Sequence, residues 1–177
     1  MSKIIAFAGS NSSTSINVQL VKHAASLVKG ATVEVIDLRD YDAPIYSSDL
    51  EKAGIPESIQ ALVSKLAEAD AYIIGAPEHN GSLSAFFKNI LDWASRLEGK
   101  FFGGKPALLL STSGGPRGAA GSLADLNTKM KYFAGEVAAT FSLGSFYDTF
   151  DQGAGVVTEE TASGSLREAV IQFEKAL

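Results

Sequence analysis

The sequence has no cysteine, few histidines and no cluster of basic residues. Without cysteine, the protein cannot form disulfides, thiolate nucleophiles or iron–sulfur clusters, so any redox chemistry needs an organic cofactor. The 15 Lys and Arg residues against 20 Asp and Glu give a net charge of −5. No basic run is present to neutralise nucleic-acid phosphates. We therefore expect small molecules, and no nucleic acid, as partners.

Long apolar segments are also missing. The run from Met1 to Ala8 is too short for a signal peptide or a membrane span. We expect no membrane association and a cytoplasmic location. A length of 177 residues, with 46% hydrophobic and 20% charged residues, suits one globular domain over residues 1–177.

Apolar runs of strand length alternate with helical patterns along the chain. The predicted strands are Lys3–Ala8, Thr32–Ile36, Ala71–Ala76, Pro106–Leu110 and Val137–Phe141. The predicted helices are Ile16–Leu27, Glu57–Ala69, Ser84–Leu97, Ser122–Phe133 and Leu166–Leu177. This alternation predicts the α/β class, with a doubly wound five-stranded parallel sheet whose ligand site lies beyond the carboxyl ends of the strands. The segment Leu143–Gly164 has no periodicity and is predicted to be a long loop, either a lid or an interface arm.

The loop Gly9–Asn17, between the first strand and the first helix, carries five hydroxyl side chains in the six residues 10–15. Helix capping needs only one or two of them. A helix amino terminus offers free N–H groups, and hydroxyls donate to phosphate oxygens as well. The loop therefore predicts a phosphate site that uses Ser10, Ser12, Ser15, Ile16 and Asn17.

Several common active-site motifs are absent. Neither G-x-G-x-x-G nor G-x-x-x-x-G-K-[ST] occurs, which disfavours a Rossmann dinucleotide site and a P-loop. No G-x-S-x-G is present, and only His23 and His79 offer a histidine base, so a serine hydrolase is not expected. We identify no metal site and no catalytic side chain.

Two further loops follow the third and fourth strands and are expected at the same edge of the sheet. The second loop reads Pro77-Glu78-His79-Asn80-Gly81-Ser82 and leads into a helix containing Lys88-Asn89-Ile90-Leu91-Asp92-Trp93. The third reads Ser111-Thr112-Ser113-Gly114-Gly115-Pro116-Arg117-Gly118, where glycines permit close backbone approach to a ligand. Arg117, the only Arg or Lys in the three loops, either contacts the ligand or lies exposed to solvent.

The first two loops together resemble the NADPH-dependent FMN reductase family. The family patterns are approximately G-S-x-R-x-x-S-x-N, then P-E-Y-N-x-S, then a helix with K-N-x-x-D-W. The resemblance implies a flavodoxin-like fold with strand order 2-1-3-4-5, non-covalent flavin mononucleotide (FMN), and NADPH or NADH as electron donor. It places Ser10, Ser15 and Asn17 at the phosphate. The isoalloxazine ring would lie against Pro77, Glu78, His79 and Asn80, with Ser111, Ser113, Gly114, Gly115 and Arg117 at its polar edge.

The sequence departs from the family pattern at two positions. Ser12 stands where the family has Arg, which removes a charge-assisted contact to phosphate. His79 stands at the family's Tyr and adds a group that titrates near neutral pH. These departures leave the affinity for FMN open.

The helix after the second loop carries an apolar stripe of Phe86, Phe87, Ile90 and Trp93, expected to be core or subunit interface. The resemblance implies a homodimer or homotetramer. His23, in mid-helix, is expected to be structural.

Three functions fit the sequence. The first is an FMN-dependent NAD(P)H oxidoreductase that reduces a quinone, free flavin or similar small acceptor. The second is a flavodoxin-type electron carrier that does not oxidise NAD(P)H, and the third is a weak flavin-binding module. The resemblance favours the enzyme.

Overall fold

The structure is a computed structural model that describes residues 1–177. The first half of the chain forms β1 (Ser2–Ala8), α1 (Ile16–Leu27), β2 (Ala31–Val35), a 3-10 helix (Leu38–Tyr41), α2 (Ser48–Lys52), α3 (Glu57–Ala67), β3 (Ala71–Gly75), β4 (Glu78–His79), β5 (Ser82–Leu83) and α4 (Ala85–Leu97). The second half forms β6 (Pro106–Thr112), α5 (Ala120–Met130), β7 (Glu136–Leu143), α6 (Phe146–Thr149), β8 (Phe150–Asp151), β9 (Val156–Val157) and α7 (Glu160–Glu174).

Five parallel strands form the central sheet in the order β2-β1-β3-β6-β7. This confirms the predicted doubly wound flavodoxin-like sheet. The order reverses between β1 and β3, because the chain leaves β1 toward β2 on one side and later returns to β3 on the other. Ligands of such sheets bind at this reversal, beyond the carboxyl ends of the strands.

The alternation of side chains along each strand divides the core into two layers. Ile5 and Phe7 of β1 point to one face, where α3, α4 and α5 cover the sheet. Ile4, Ala6 and Ala8 point to the other face, which α1 and α7 cover. Because both faces are buried, β1 and β3 read as continuous apolar runs rather than alternating ones.

Two predictions about elements are wrong. The segment Leu143–Gly164 is not one loop, since it contains α6 and the hairpin of β8 and β9. Helix α7 begins at Glu160 rather than Leu166, because the carboxylate of Glu159 accepts from the first-turn N–H groups and caps the helix there. The second loop, whose conformation was not predicted, contains the hairpin of β4 and β5.

The apolar stripe on α4 lies in the core of its own chain. Phe87, Ile90 and Trp93 are at most 2% exposed and pack with the sheet. The indole N–H of Trp93 donates to the carbonyl of Pro44 at 2.7 Å. Phe87, Ile90 and Trp93 are therefore core residues and unavailable as a subunit interface, as the first of the two alternatives predicted, whereas Phe86 is half-buried. Among the helices, none combines the length and the apolar character that crossing a membrane requires.

Candidate functional site

The carboxyl ends of β1, β3 and β6 carry three loops that surround one cleft of about 340 Å³. The cleft is lined by Ser10, Ser12, Thr14, Ser15, Ile16, Asn17, Pro77, Glu78, His79, Thr112, Ser113, Gly114 and Tyr147. Ten of the fourteen predicted cofactor-binding residues are in this set. Their contacts with FMN stay a prediction.

The first loop presents hydrogen-bond donors at the amino terminus of α1. Ser15 caps the helix, and its hydroxyl accepts from the N–H of Val18 at 3.4 Å. The next N–H groups, of Ile16 and Asn17, have no acceptor within the chain. Such first-turn N–H groups, at the positive end of the helix dipole, bind anions.

The hydroxyls of the first loop also organise its backbone. The Ser10 Oγ accepts from the N–H of Ser12 at 3.2 Å, and the Ser12 Oγ accepts from the N–H of Thr14 at 3.4 Å. The Ser10 hydroxyl keeps its own hydrogen to donate, whereas the Ser12 hydroxyl also shares a hydrogen bond of 3.3 Å with the hydroxyl of Thr14. No lysine or arginine lines the cleft, so this donor set of hydroxyls and backbone N–H groups is what fits a phosphate monoester.

Asn17 joins the first loop to the third. Its Nδ2 donates to the carbonyl of Thr112, and its Oδ1 accepts from the N–H of the same residue, each at 3.1 Å. Asn17 is 4% and Thr112 1% exposed. This pair uses one hydrogen of the Asn17 amide and its oxygen, and the backbone N–H of Asn17 has no acceptor within the chain. The side chain of Asn17 thus positions the first loop against the third, and contact of this residue with the phosphate stays a prediction.

Close packing beneath the first loop fixes its path. The carbonyl of Gly9 accepts from the buried hydroxyl of Ser84 at 2.6 Å. A β-carbon on Gly9 would lie 2.2 Å from the ring of Phe87. The glycine is therefore required by its contact with α4, which sets the start of the first loop against the start of that helix.

The second loop forms the hairpin of β4 and β5 around the turn Asn80-Gly81. Both turn residues have positive φ, 53° and 81°, as a type I′ turn requires. Asn80 therefore lies at the exposed tip of the hairpin and does not line the cleft, whereas Pro77, Glu78 and His79 do. The Asn-Gly pair in the sequence was the signal for this hairpin.

The carboxylate of Glu78 connects the second loop to α5. Its Oε2 accepts from the N–H of Ser122 at 2.9 Å, in the first turn of the helix. The helix-capping residue Ala119 has no side chain that could do this. Glu78 thus caps a neighbouring helix rather than its own turn, and its negative charge is stabilised by the helix dipole.

The third loop folds back onto β7 after passing the cleft. The hydroxyl of Ser111 is buried and donates to the carbonyl of Gly118 at 2.7 Å. Ser111 and Gly115 do not line the cleft. Arg117 is exposed, makes no ion pair within the chain and lies outside the lining. Only Ser113 and Gly114 of the predicted third-loop residues border the cleft.

Three lining residues escaped sequence reasoning. Thr14 in the first loop and Thr112 in the third loop were not selected as cofactor-binding residues, although both belong to the predicted loops, and Thr112 is the last residue of β6. Tyr147 is brought to the cleft by α6, which begins where the N–H of Phe146 donates to the carbonyl of Ser113 at 3.0 Å. Its ring lies over Gly114, where a β-carbon would approach it to 3.2 Å. It is 66% exposed, and no local sequence pattern reveals this contact.

The chain was compared with known proteins. The sequence profile described as NADPH-dependent FMN reductase matches residues 2–148. An NAD(P)H-dependent FMN reductase of Pseudomonas aeruginosa is 34% identical over 119 residues, covering 67% of this chain and 63% of the relative. An NADPH:quinone oxidoreductase of Arabidopsis thaliana is 38% identical over 118 residues, covering 64% of this chain and 59% of the relative. The match thus spans less than two thirds of the length of either relative.

Among solved structures, the fold is similar to that of FerB, a flavoenzyme NAD(P)H:(acceptor) oxidoreductase of Paracoccus denitrificans. The TM-score is 0.78 with 29% sequence identity, and the alignment covers 99% of both chains. This likeness extends through the second hairpin and α7, which lie beyond the end of the family profile at residue 148. The sheet order, the three loops and these matches together show that the chain belongs to the NADPH-dependent FMN reductase family.

Proposed function

We propose that the protein binds FMN in the three-loop cleft and acts as an NAD(P)H-dependent oxidoreductase on a quinone, free flavin or similar small acceptor. The observation that carries this proposal is the cleft itself. The cleft contains unpaired N–H groups at the amino terminus of α1, and the second and third loops form its other walls. It lies at the point where the strand order of a flavodoxin-like sheet reverses, between β1 and β3. FMN binds at this reversal in proteins with the flavodoxin strand order.

The phosphate of FMN would be held by the first loop. Ser10, Ser12 and Ser15 offer hydroxyls, and Ile16 and Asn17 offer N–H groups. The two hydrogen bonds between Asn17 and Thr112 would hold this phosphate site at a fixed position relative to the third loop. The donors need no reorganisation when the ligand arrives, because the loop already has internal hydrogen bonds.

The ring system would lie between the second and third loops. Pro77 and His79 form one wall of the cleft, and Gly114 and Tyr147 form another. The exposed ring of Tyr147 offers an aromatic surface for stacking. When bound, FMN supplies the redox chemistry by accepting hydride from NAD(P)H and passing reducing equivalents to the acceptor. The protein's part is to bind, to orient and to exclude water, and we assign no side chain as a proton carrier.

The names of the relatives support small acceptors. Reductases of FMN and of quinones are both found among them. A homodimer or homotetramer and a cytoplasmic location stay part of this proposal. If the protein is dimeric, the interface uses a surface other than the buried stripe on α4.

Flavin absorbance tests the binding step. The purified protein is titrated with FMN and, separately, with riboflavin, which lacks the phosphate. We expect FMN to bind at least tenfold more tightly. Equal affinities would contradict the phosphate site at α1, and failure to bind either flavin would contradict the proposed function.

Anaerobic reduction tests the redox step. NADPH and NADH are added separately to the FMN-loaded protein, and bleaching of the flavin absorbance is followed. Rapid bleaching with either donor, followed by recovery on addition of a benzoquinone, is the expected result. A flavin that stays oxidised with both donors would favour the electron carrier instead. Light scattering at micromolar concentration tests the oligomeric state.

A further inference from the structure

A second cleft, of about 550 Å³, lies between α1 and the hairpin of β8 and β9. It opens alongside α1, one to three turns beyond Ser15, and shares no lining residue with the three-loop cleft. Its walls are Gln19, Lys22, His23 and Ser26 on the helix, and Gln152, Ala154, Gly155 and Val156 on the hairpin. The proposed function makes no use of this cleft.

His23 in its wall is a buried polar group without a partner. The residue is 6% exposed, and its imidazole makes no hydrogen bond within the chain. Its Nδ1 is buried, and the ring packs edge-on against Phe150 with 6.1 Å between ring centres. Nearly all buried polar groups in proteins are paired with protein or bound molecules. Nε2 also makes no hydrogen bond and is not among the fully buried atoms, so a ligand in the cleft would bond to Nε2 while Nδ1 stays unpaired.

The charges around the cleft favour an anion. No carboxylate lines it, although the chain as a whole carries a net charge of −5. Lys22 is exposed and makes no ion pair, because the nearby carboxylate of Asp37 is held by Arg39. Burial, and then the charge of Arg167 on α7, lower the pKa of His23. Lys22 and Arg167 thus add positive potential on the side of α1 and α7.

Most of the hydrogen-bonding side chains that line this cleft can donate a hydrogen bond to an anion. Lys22 supplies an ammonium group, and Gln19 and Gln152 supply amide N–H groups from opposite walls. The only bond between these walls is a long one of 3.4 Å, from Gln19 Nε2 to Gln152 Oε1. Both amides can therefore turn toward a ligand at little cost. Val156 and Ala154 add an apolar surface for a small carbon skeleton.

We infer that this cleft is a second binding site, for a small organic molecule that carries a carboxylate or phosphate group. The anionic group would lie between Lys22 and the two glutamine amides, with His23 Nε2 as a further partner. The cleft is large enough for more than an inorganic ion. The inference does not depend on the proposed function.

The two histidines make the test selective, because His79 lines the three-loop cleft and His23 lines this one. Imidazole ¹H–¹⁵N correlation spectra are recorded on the protein with and without added FMN, and a His79→Asn variant assigns the signals. Succinate and inorganic phosphate are titrated separately at constant ionic strength. Succinamide, which is uncharged and similar in shape to succinate, is the matched control.

We expect a saturable shift of the His23 signals and of the amide signals of residues 19–26 and 152–156 with at least one anion. The His79 signals should stay in place, and succinamide should have no effect. Lys22→Gln, and Gln152→Glu on the opposite wall, should each raise the Kd at least tenfold. Lys131→Gln, a loss of charge at the exposed end of α5, should leave it within twofold.

Other results would overturn the inference. They are a linear shift without saturation, an equal response to succinamide, or a Kd unchanged by both Lys22→Gln and Gln152→Glu. Saturation with phosphate alone would assign the phosphate class, and saturation with succinate alone the carboxylate class. Both variants alter exposed side chains, so the fold should be kept, and unchanged circular dichroism checks this.

Discussion

Replacing Asn17 by Asp should destabilise the protein through one lost donor in the pair with Thr112. The aspartate keeps an oxygen to accept from the N–H of Thr112 but cannot donate to its carbonyl when ionised. A buried carbonyl then loses its partner, at a cost of about 1–3 kcal/mol. The new charge is also buried, where ionised groups are strongly disfavoured. We expect a total loss of roughly 2–4 kcal/mol in the free energy of unfolding.

Urea unfolding of the FMN-free protein measures this loss. Trp93 is the only tryptophan and is fully buried, so its fluorescence reports on unfolding of the core. The matched control is Asn11→Asp, the same change of shape and charge on an exposed residue of the same loop without side-chain hydrogen bonds. We expect the control to stay within about 0.5 kcal/mol of the parent protein.

The pH dependence of this variant gives a second readout. Burial raises the folded-state pKa of the introduced carboxyl above its unfolded value of about 3.9. The ionised form is thus the one disfavoured by folding, so the deficit relative to the parent is largest near neutral pH. As the pH falls toward 4, the protonated carboxyl can donate to the carbonyl of Thr112 and the deficit should narrow. Equal stabilities of Asn17→Asp and Asn11→Asp at pH 7 would refute the reasoning.

Three further predictions concern the first loop, its packing and the buried histidine. Ser12→Arg restores the family's basic residue and should tighten FMN binding by roughly 1.5–3 kcal/mol, about 10- to 150-fold. FMN fluorescence quenching measures this, and an equal gain from Ser13→Arg would show that position within the loop is irrelevant. Gly9→Ala places a methyl group 2.2 Å from the ring of Phe87, which is a steric clash. It should lower the free energy of unfolding, measured in urea, by at least about 2 kcal/mol. Gly99→Ala, which meets open space, is its control, and similar losses for both would contradict the close packing. Burial and then Arg167 lower the pKa of His23, so the unfolded chain binds its proton more readily and stability should fall as the pH drops below about 6.5. His23→Gln should flatten this part of the stability curve between pH 7 and 5, and an unchanged slope would contradict the assignment.

The sequence alone determined the central sheet and the location of the cleft. Strands buried on both faces give continuous apolar runs, and the helices between them carry clear caps and periodicity, as at Ile16–Leu27. These patterns depend only on residues close together in sequence, so they predict strands and helices without knowledge of the fold. Parallel strands place their carboxyl ends at one edge, which is why three loops far apart in sequence were expected together, and the structure has them around one cleft.

Tertiary structure decided the roles of individual side chains. Whether Asn17 faces a ligand or Thr112 depends on a residue 95 positions away. The direction of the Glu78 carboxylate depends on α5, which brings an uncapped amino terminus to it, while Glu78 still lines the cleft. Tyr147 reaches the cleft only because a short helix forms after β7. Such contacts depend on how far apart the helices and strands lie in the folded protein, and residue type and sequence spacing do not give these distances.

The first loop shows where the two kinds of information meet. Its hydroxyl content and its position before α1 follow from the sequence, and they predict a phosphate site. The structure shows which backbone groups remain free to bind one, namely the N–H groups of Ile16 and Asn17, and it places the hydroxyls of Ser10, Ser12 and Ser15 in the same cleft. The amino-acid sequence determines which chemical groups the loop contains. Close packing against Phe87 and the hydrogen bonds with Thr112 determine which of those groups face the cleft.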